Sequence, residues 1–119
     1  MAKIDSFNFG FIVVDEKQYS SDIIILPDGI VKERNSGKGR LGSHSITRSE
    51  VEALVRVQPD VILIGTGVHG MARLARDAEF YLMEPKLNLV LLPSPEVVRK
   101  YNHYVEDGEK VAALIHVTC

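Results

Sequence analysis

The chain has 119 residues, 45% of them hydrophobic and 25% charged, with a formal net charge of -2. That length suits one domain with a core of its own, and the near-neutral charge gives no global reason to expect nucleic acid or an anionic membrane as a partner. Cys119 is the only cysteine, which rules out an intrachain disulfide, and no apolar stretch approaches the roughly 18 residues of a membrane helix.

The opening Met1-Ala2-Lys3-Ile4-Asp5 lacks the basic-then-apolar shape of a signal peptide. These features predict a single globular domain over 1–119, cytoplasmic and not membrane-associated. Phe7, Phe9 and Phe11 alternate with Ser6, Asn8 and Gly10, and Ile12, Val13 and Val14 extend the run, which predicts one strand with one buried face. Ile23, Ile24, Ile25 and Leu26 then meet Pro27-Asp28-Gly29 and resume at Ile30 and Val31. Proline presets the turn and glycine supplies the left-handed residue, so a hairpin is predicted.

Residues 34–46 show no periodicity and contain Gly37, Gly39 and Gly42, which reads as a long loop. Between Lys32 and Arg48 five basic residues face one acid, a local net of about +4 that leaves about -6 for the rest. Thr47-Arg48-Ser49-Glu50 fits a capping box at the start of a helix carrying Val51, Leu54 and Val55. Val61 to Ile64 form a continuously apolar strand. Residues 71–84 are mixed: Ala72, Ala75 and Ala78 favour a helix, with Phe80, Leu82 and Met83 as its apolar face and Pro85 as its stop. A second apolar strand at Leu89–Leu92 precedes a helix capped by Ser94, with Pro95 in its first turn and Val97, Val98, Tyr101 and Val105 facing inward. Gly108 ends that helix, and Val111–Ile115 is a third apolar strand. Such runs separated by helices predict a sheet covered on both faces, an α/β fold.

Gly65-Thr66-Gly67-Val68-His69-Gly70 matches G-x-G-x-x-G directly after a strand. A dinucleotide site also needs an acidic residue at the end of the next strand. Here Leu92 is followed by Pro93-Ser94-Pro95 instead, so the motif reads first as a tight turn. Its N–H groups remain candidates to hold a small anion. His44, His69, His116 and Cys119 would suit a soft metal if the fold gathered them, but no two have the spacing of a zinc motif, and no metal or cofactor is expected. Ser43 and Thr66, each near a histidine, raise hydrolysis, yet no G-x-S-x-G elbow is present. The basic loop lacks aromatic residues for base stacking, which disfavours RNA. The candidate ligand-binding residues are thus Gly65, Thr66, Gly67, His69 and Gly70, with Ser43, His44 and Arg40 from the loop and Tyr101 and Asn102 from the last helix.

The order of the glycine-threonine-glycine strand end, helix, strand, Tyr101-Asn102, Asp107-Gly108 and Val111-Ala112-Ala113-Leu114 resembles a small domain family of unknown function. That family includes mitochondrial complex I assembly factor 3 and the adipogenesis-associated cytosolic protein. The likeness is strongest from Asp60 to Ile115, and the ending Ile115-His116-Val117-Thr118-Cys119 looks most like the short archaeal members. It implies a three-layer domain with a mixed central sheet, helices covering it and an added N-terminal β-hairpin layer. No catalytic residues come with it, and its eukaryotic relatives suggest assembly or protein-interaction roles. Glu109 stands where an arginine is frequent, and Lys32-Glu33-Arg34 replace the usual aromatic after the hairpin. The expected function is a non-enzymatic interaction or assembly module with a protein partner, a homo-oligomer staying open. The alternative is a small-molecule or anion binder, or an enzyme, built on the 65–70 turn and His69 with Arg40 or Lys38 neutralising the anion.

Overall fold

The computed structural model describes residues 2–34, 44–83 and 86–119. The chain opens with an antiparallel sheet of β1 (Ile4–Asn8), β2 (Phe11–Val14) and β3 (Lys17–Tyr19). There follow β4 (Ile23–Ile25), β5 (Val31–Glu33), β6 (Ser45–Ile46), α1 (Arg48–Arg56), β7 (Val61–Gly65), β8 (Arg73–Leu74), α2 (Arg76–Tyr81), β9 (Leu89–Leu92), α3 (Ser94–Glu106) and β10 (Val111–Ile115). A mixed five-stranded sheet runs in the order β5, β4, β10, β7, β9; β10, β7 and β9 are parallel, and β4 and β5 add antiparallel.

The two central strands, β7 and β10, are buried along their whole length, because both faces of the sheet are covered. Alternation sends Val61, Leu63, Val111, Ala113 and Ile115 to one face, where Val97 and Tyr101 of α3 and Ile4, Ile12 and Val14 of the N-terminal sheet meet them. Ile62, Ile64, Ala112 and Leu114 go to the other face, against Val51 and Leu54 of α1, Ala78 of α2 and Ile46. The predicted three-layer α/β arrangement with its N-terminal β-layer is the one observed. Among the described residues no helix is long and apolar enough to cross a membrane.

Local chemistry accounts for most element boundaries. The Pro27-Asp28-Gly29 hairpin forms as expected, with the Asp28 carboxylate accepting from Ile30 N–H at 3.0 Å. The capping box is complete: Thr47 Oγ1 accepts from Glu50 N–H and Glu50 Oε1 accepts from Thr47 N–H at 2.9 Å.

Several expectations need correction. The phenylalanine alternation is not one strand, because the chain reverses at Gly10 (φ +91°) and pairs Asn8 with Phe11, leaving Phe9 56% exposed at the tip. Residues 71–84 are not one helix either: Arg73 and Leu74 pair with Ser45 and Ile46, which leaves only Arg76–Tyr81 helical. Leu82 is buried there, but Phe80 and Met83 point outward, each 72% exposed. The 34–46 stretch is likewise not loop throughout, since its ends are a buried Arg34 and the strand β6, while 35–43 lie outside the described residues. Ser94 does not cap α3, whose N-cap is Pro93; its hydroxyl is taken by longer-range partners.

Tyr101 and Asn102 fasten the N-terminal layer to α3. The Tyr101 hydroxyl donates to Ala2 O at 2.8 Å, and the Asn102 amide brackets Ile4, accepting from its N–H at 3.1 Å and donating to its carbonyl at 2.8 Å. Burial, helped by the charge of Asp15, pushes the Tyr101 hydroxyl up to about 12. A raised pKa means that the fold favours the neutral phenol, so this stability is complete below about pH 10 and is lost as pH climbs through 12. Tyr101→Phe should cost about 1–3 kcal/mol near neutral pH by orphaning the Ala2 carbonyl. Denaturant unfolding of the variant between pH 9 and pH 12 should show a shallower alkaline decline than the native chain; an unchanged slope would refute the assignment.

Candidate functional site

Two groups of polar residues meet where β7 and β10 end. The first is the glycine turn. Sequence places it at the carboxyl ends of parallel strands, where ligands commonly bind in α/β sheets. Yet each backbone N–H from Thr66 to Ala72 already has a partner within the chain. Thr66 donates to Leu92 O (2.9 Å), Gly67 to Ser94 Oγ (2.8 Å) and Val68 to Thr118 O (2.7 Å). His69 and Met71 both donate to Cys119 O (3.1 and 3.0 Å), Gly70 to Gly67 O (3.2 Å) and Ala72 to Thr66 O (2.9 Å). Gly67, at φ +106°, lies so close to Cys119 that a Cβ would stand 2.2 Å from its carbonyl carbon. The glycines serve close packing of backbone on backbone, with no backbone donor from 66 to 72 left pointing at solvent.

Ser94 closes this junction. Its Oγ accepts from Gly67 N–H and donates to His116 O at 2.6 Å, while its own N–H donates to Gly67 O at 2.9 Å. The start of α3 is thereby latched to the ends of both central strands. The Thr66 hydroxyl donates to Leu92 O at 3.2 Å.

Beside the turn lies a cleft of about 360 Å³, lined by Thr66, His69, Arg73, Glu79, Leu91 and Pro93 among others. His69, Arg73, Glu79 and Leu91 are exposed, so the cleft is open. One Arg73 guanidinium nitrogen donates to Gly70 O at 2.7 Å and reaches Ala72 O at 3.3 Å, which sets the arginine across the mouth of the turn. Arg73 and Glu79 were not foreseen; the helical reading of 71–84 hid the short strand that carries Arg73 to this position.

The second group is a buried ionic cluster absent from the expected site. Asp22 Oδ2 meets Arg34 Nη1 at 2.8 Å and His116 Nδ1 at 2.7 Å, and Oδ1 accepts from Val117 N–H at 2.8 Å. Arg34 also donates to both Glu50 oxygens (2.6 and 3.0 Å) and to Ser45 O (2.7 Å). Burial alone would raise the Asp22 carboxyl, but the hydrogen bonds from His116 and Val117, the His116 charge and Arg34 outweigh it and hold it below the usual range. For Arg34, burial opposes the charge and the carboxylates of Glu50 and Asp22 overcome it, raising its pKa. His116 Nε2 lies 3.2 Å from Thr118 Oγ1. This is the order carboxylate, imidazole, hydroxyl, but His116 is wholly buried and offers no approach to a substrate. The cluster is a clamp.

The remaining expected residues fall into place around these two groups. His44 is exposed, with its ring 5.1 Å from that of His116 in an edge-on arrangement. Tyr101 and Asn102 face the N-terminal layer, away from the turn. Ser43, Arg40 and Lys38 lie outside the described residues. Among the described residues no three His, Cys, Asp or Glu side chains are grouped to hold a metal ion.

Asp22→Asn leaves Arg34 short of a buried counter-charge and should cost about 3–5 kcal/mol. Because the Asp22 pKa is depressed in the fold, its contribution is present above the unfolded value of about 3.9 and fades as pH falls below it. Acid titration of unfolding free energy should therefore be flatter in the variant below about pH 4. Gly67→Ala should cost about 2 kcal/mol or more through backbone strain and contact with Cys119, read as a fall in melting temperature.

Comparison with the curated proteins finds no match. Among solved structures, the protein MT938 is 30% identical over 100% of both chains, with a TM-score of 0.80. The conserved hypothetical protein PH1505 from Pyrococcus horikoshii OT3 is 30% identical over 98% of this chain and 99% of its own, with a TM-score of 0.82. A protein from Bartonella henselae described as an outer membrane protein shares the fold at 24% identity over 99% and 96% of the two chains (TM-score 0.79). Residues 4–116 match the family described as protein of unknown function (DUF498/DUF598), and the chain belongs to that family.

Proposed function

We propose that this protein is a non-enzymatic interaction module that docks a partner protein on the face formed by the 65–70 turn, α2 and the β9 edge. The observation that carries this reading is the character of that face. Phe80 and Met83 are each 72% exposed at the end of α2, and Leu91 lines the adjoining cleft at 42%. Met71, also exposed, follows Gly70 in the turn. Phe80 follows Glu79 and Met71 follows Gly70, and both Glu79 and Gly70 line the cleft with His69, Arg73 and Leu91; exposed apolar side chains of this size are typical of protein contact surfaces. The fully bonded N–H groups of the turn favour the same choice over an anion held by backbone.

A cytoplasmic location belongs to this reading and is supported by the lone cysteine. An assembly role like that of complex I assembly factor 3 belongs to it as well, supported by the likeness of the Tyr101-Asn102 and 111–114 segments. The test is affinity capture with crosslinking in lysate of the native host, comparing the native chain with a Phe80→Ser/Met83→Ser double variant. A partner captured reproducibly by the former and lost by the latter, at unchanged melting temperature, is expected. Capture indifferent to those two positions, or no reproducible capture, would overturn the reading.

A second reading, a small-anion binder, is favoured by His69 and Arg73 sharing the 360 Å³ cleft. It predicts that inorganic phosphate shifts the NMR signals of both residues and that His69→Ala abolishes the response without lowering the melting temperature. Flat titrations in the native chain would dismiss it.

A further inference from the structure

The five-stranded sheet has two edges of opposite character. β5 carries Lys32 and Glu33 on a three-residue strand, the usual protection of an exposed edge, and the Glu33 carboxylate accepts a hydrogen bond from Ser21 at 3.2 Å. β9 is Leu89-Val90-Leu91-Leu92, with no charge, no proline and no bulge. An edge without such protection is a template for another strand.

The register decides which groups that template offers. Ile62 N–H bonds Asn88 O at 2.8 Å and Thr66 N–H bonds Leu92 O at 2.9 Å, with Ile62 opposite Leu89 and Ile64 opposite Leu91 in a parallel ladder. In such a ladder Asn88, Val90 and Leu92 spend their backbone groups on β7, so the N–H and C=O of Leu89 and Leu91 point away from the sheet. The next outward-facing residue is Pro93, which has no N–H to offer.

We propose that this edge pairs antiparallel with β9 of a second copy of the chain, about a twofold axis through Val90. This inference rests on reading the β9 side of the molecule as an interaction face, and it names a second copy as an occupant of its edge. Antiparallel pairing centred on Val90 sets Leu89 opposite Leu91 of the second copy and Leu91 opposite its Leu89. Each pair exchanges two N–H···O bonds, so the four outward donors and four outward acceptors of the two strands satisfy one another with none left over. Paired residues share a face, so Leu91, 42% exposed in one copy, is covered by Leu89 of the other. The chain's net charge of only -2 opposes the approach weakly. The result is a ten-stranded sheet continuous across both copies, its outer edges the two charged β5 strands.

The experiment is sedimentation or light scattering of the full chain over a range of micromolar concentrations, with amide hydrogen exchange on the same samples. The native chain is expected to dimerise, and its Leu89 and Leu91 amides to be protected in a concentration-dependent way. Leu91→Lys, at an exposed position, should raise the dimer dissociation constant at least about tenfold and release that protection. Its melting temperature, measured at dilution where both proteins are monomers, should match the native value. Val31→Lys on the β5 edge should leave the dimer intact. A monomer at all concentrations overturns the inference, as does a dimer indifferent to Leu91→Lys or one in which these two amides exchange freely. Those outcomes leave partner docking standing, because that reading fails only on its own capture experiment.

Discussion

The Asp22 carboxylate, buried at the head of β4, is the charge about which the molecule is organised. It receives Arg34 from the end of β5, the His116 ring from beyond β10, and the Val117 amide, and through Arg34 it reaches Glu50 in the first turn of α1. Four segments far apart in sequence therefore share one set of ion pairs and hydrogen bonds. Hydrophobic burial could bring the layers together in several registers, but a carboxylate out of water tolerates only the one in which its partners arrive. With Arg34 and His116 drawn to the head of β4, the antiparallel half of the sheet, β5 beside β4 beside β10, and the direction of the chain beyond Ile115 are fixed together.

That direction bears on function. Residues 117–119 run from the clamp across the glycine turn, and the carbonyls of Thr118 and Cys119 take the amides of Val68, His69 and Met71. A turn with the lettering of a nucleotide motif is thus spent on internal packing, and Ser94, at the start of a helix, holds it closed. What remains outward is side-chain chemistry: His69, Arg73, Glu79 and Leu91 around an open cleft, and the exposed Phe80 and Met83. An open, partly apolar face of this kind fits a macromolecular contact better than the enclosure of a metabolite.

The elements most legible in the sequence were those whose cause is local. The Thr47 capping box, the Pro27-Asp28-Gly29 hairpin and the three continuously apolar strands depend on neighbours in the chain, and each lies where its residues indicate. The resemblance to a family supplied the layer order as well. Residues 71–84 failed because the choice between helix and strand there is made by a distant partner, β6, which captures Arg73 and Leu74. Phe9 failed because alternation is blind to a reversal at Gly10. The ionic clamp was invisible for a related reason. Arg34 stood among the basic residues of the predicted loop, and nothing in the spacing of 22, 34, 50 and 116 marks them as neighbours. The glycine turn was found from its letters, but whether its amides were free depended on residues fifty positions away.

Glu50 holds two appointments at once. One oxygen accepts the Thr47 amide as part of the cap of α1, and the same carboxylate forks onto the buried guanidinium of Arg34. Helix ends ordinarily fray, opening and closing a turn at a time at little cost. Here the first turn of α1 cannot open without stripping a counter-ion from a desolvated cation, so the helix start is locked to the strand end that carries Arg34. Loosening at this corner becomes an all-or-none event spanning α1, β5 and the ends of β4 and β10, and the end of the helix that would elsewhere be the most mobile belongs to the most cooperative part of the fold.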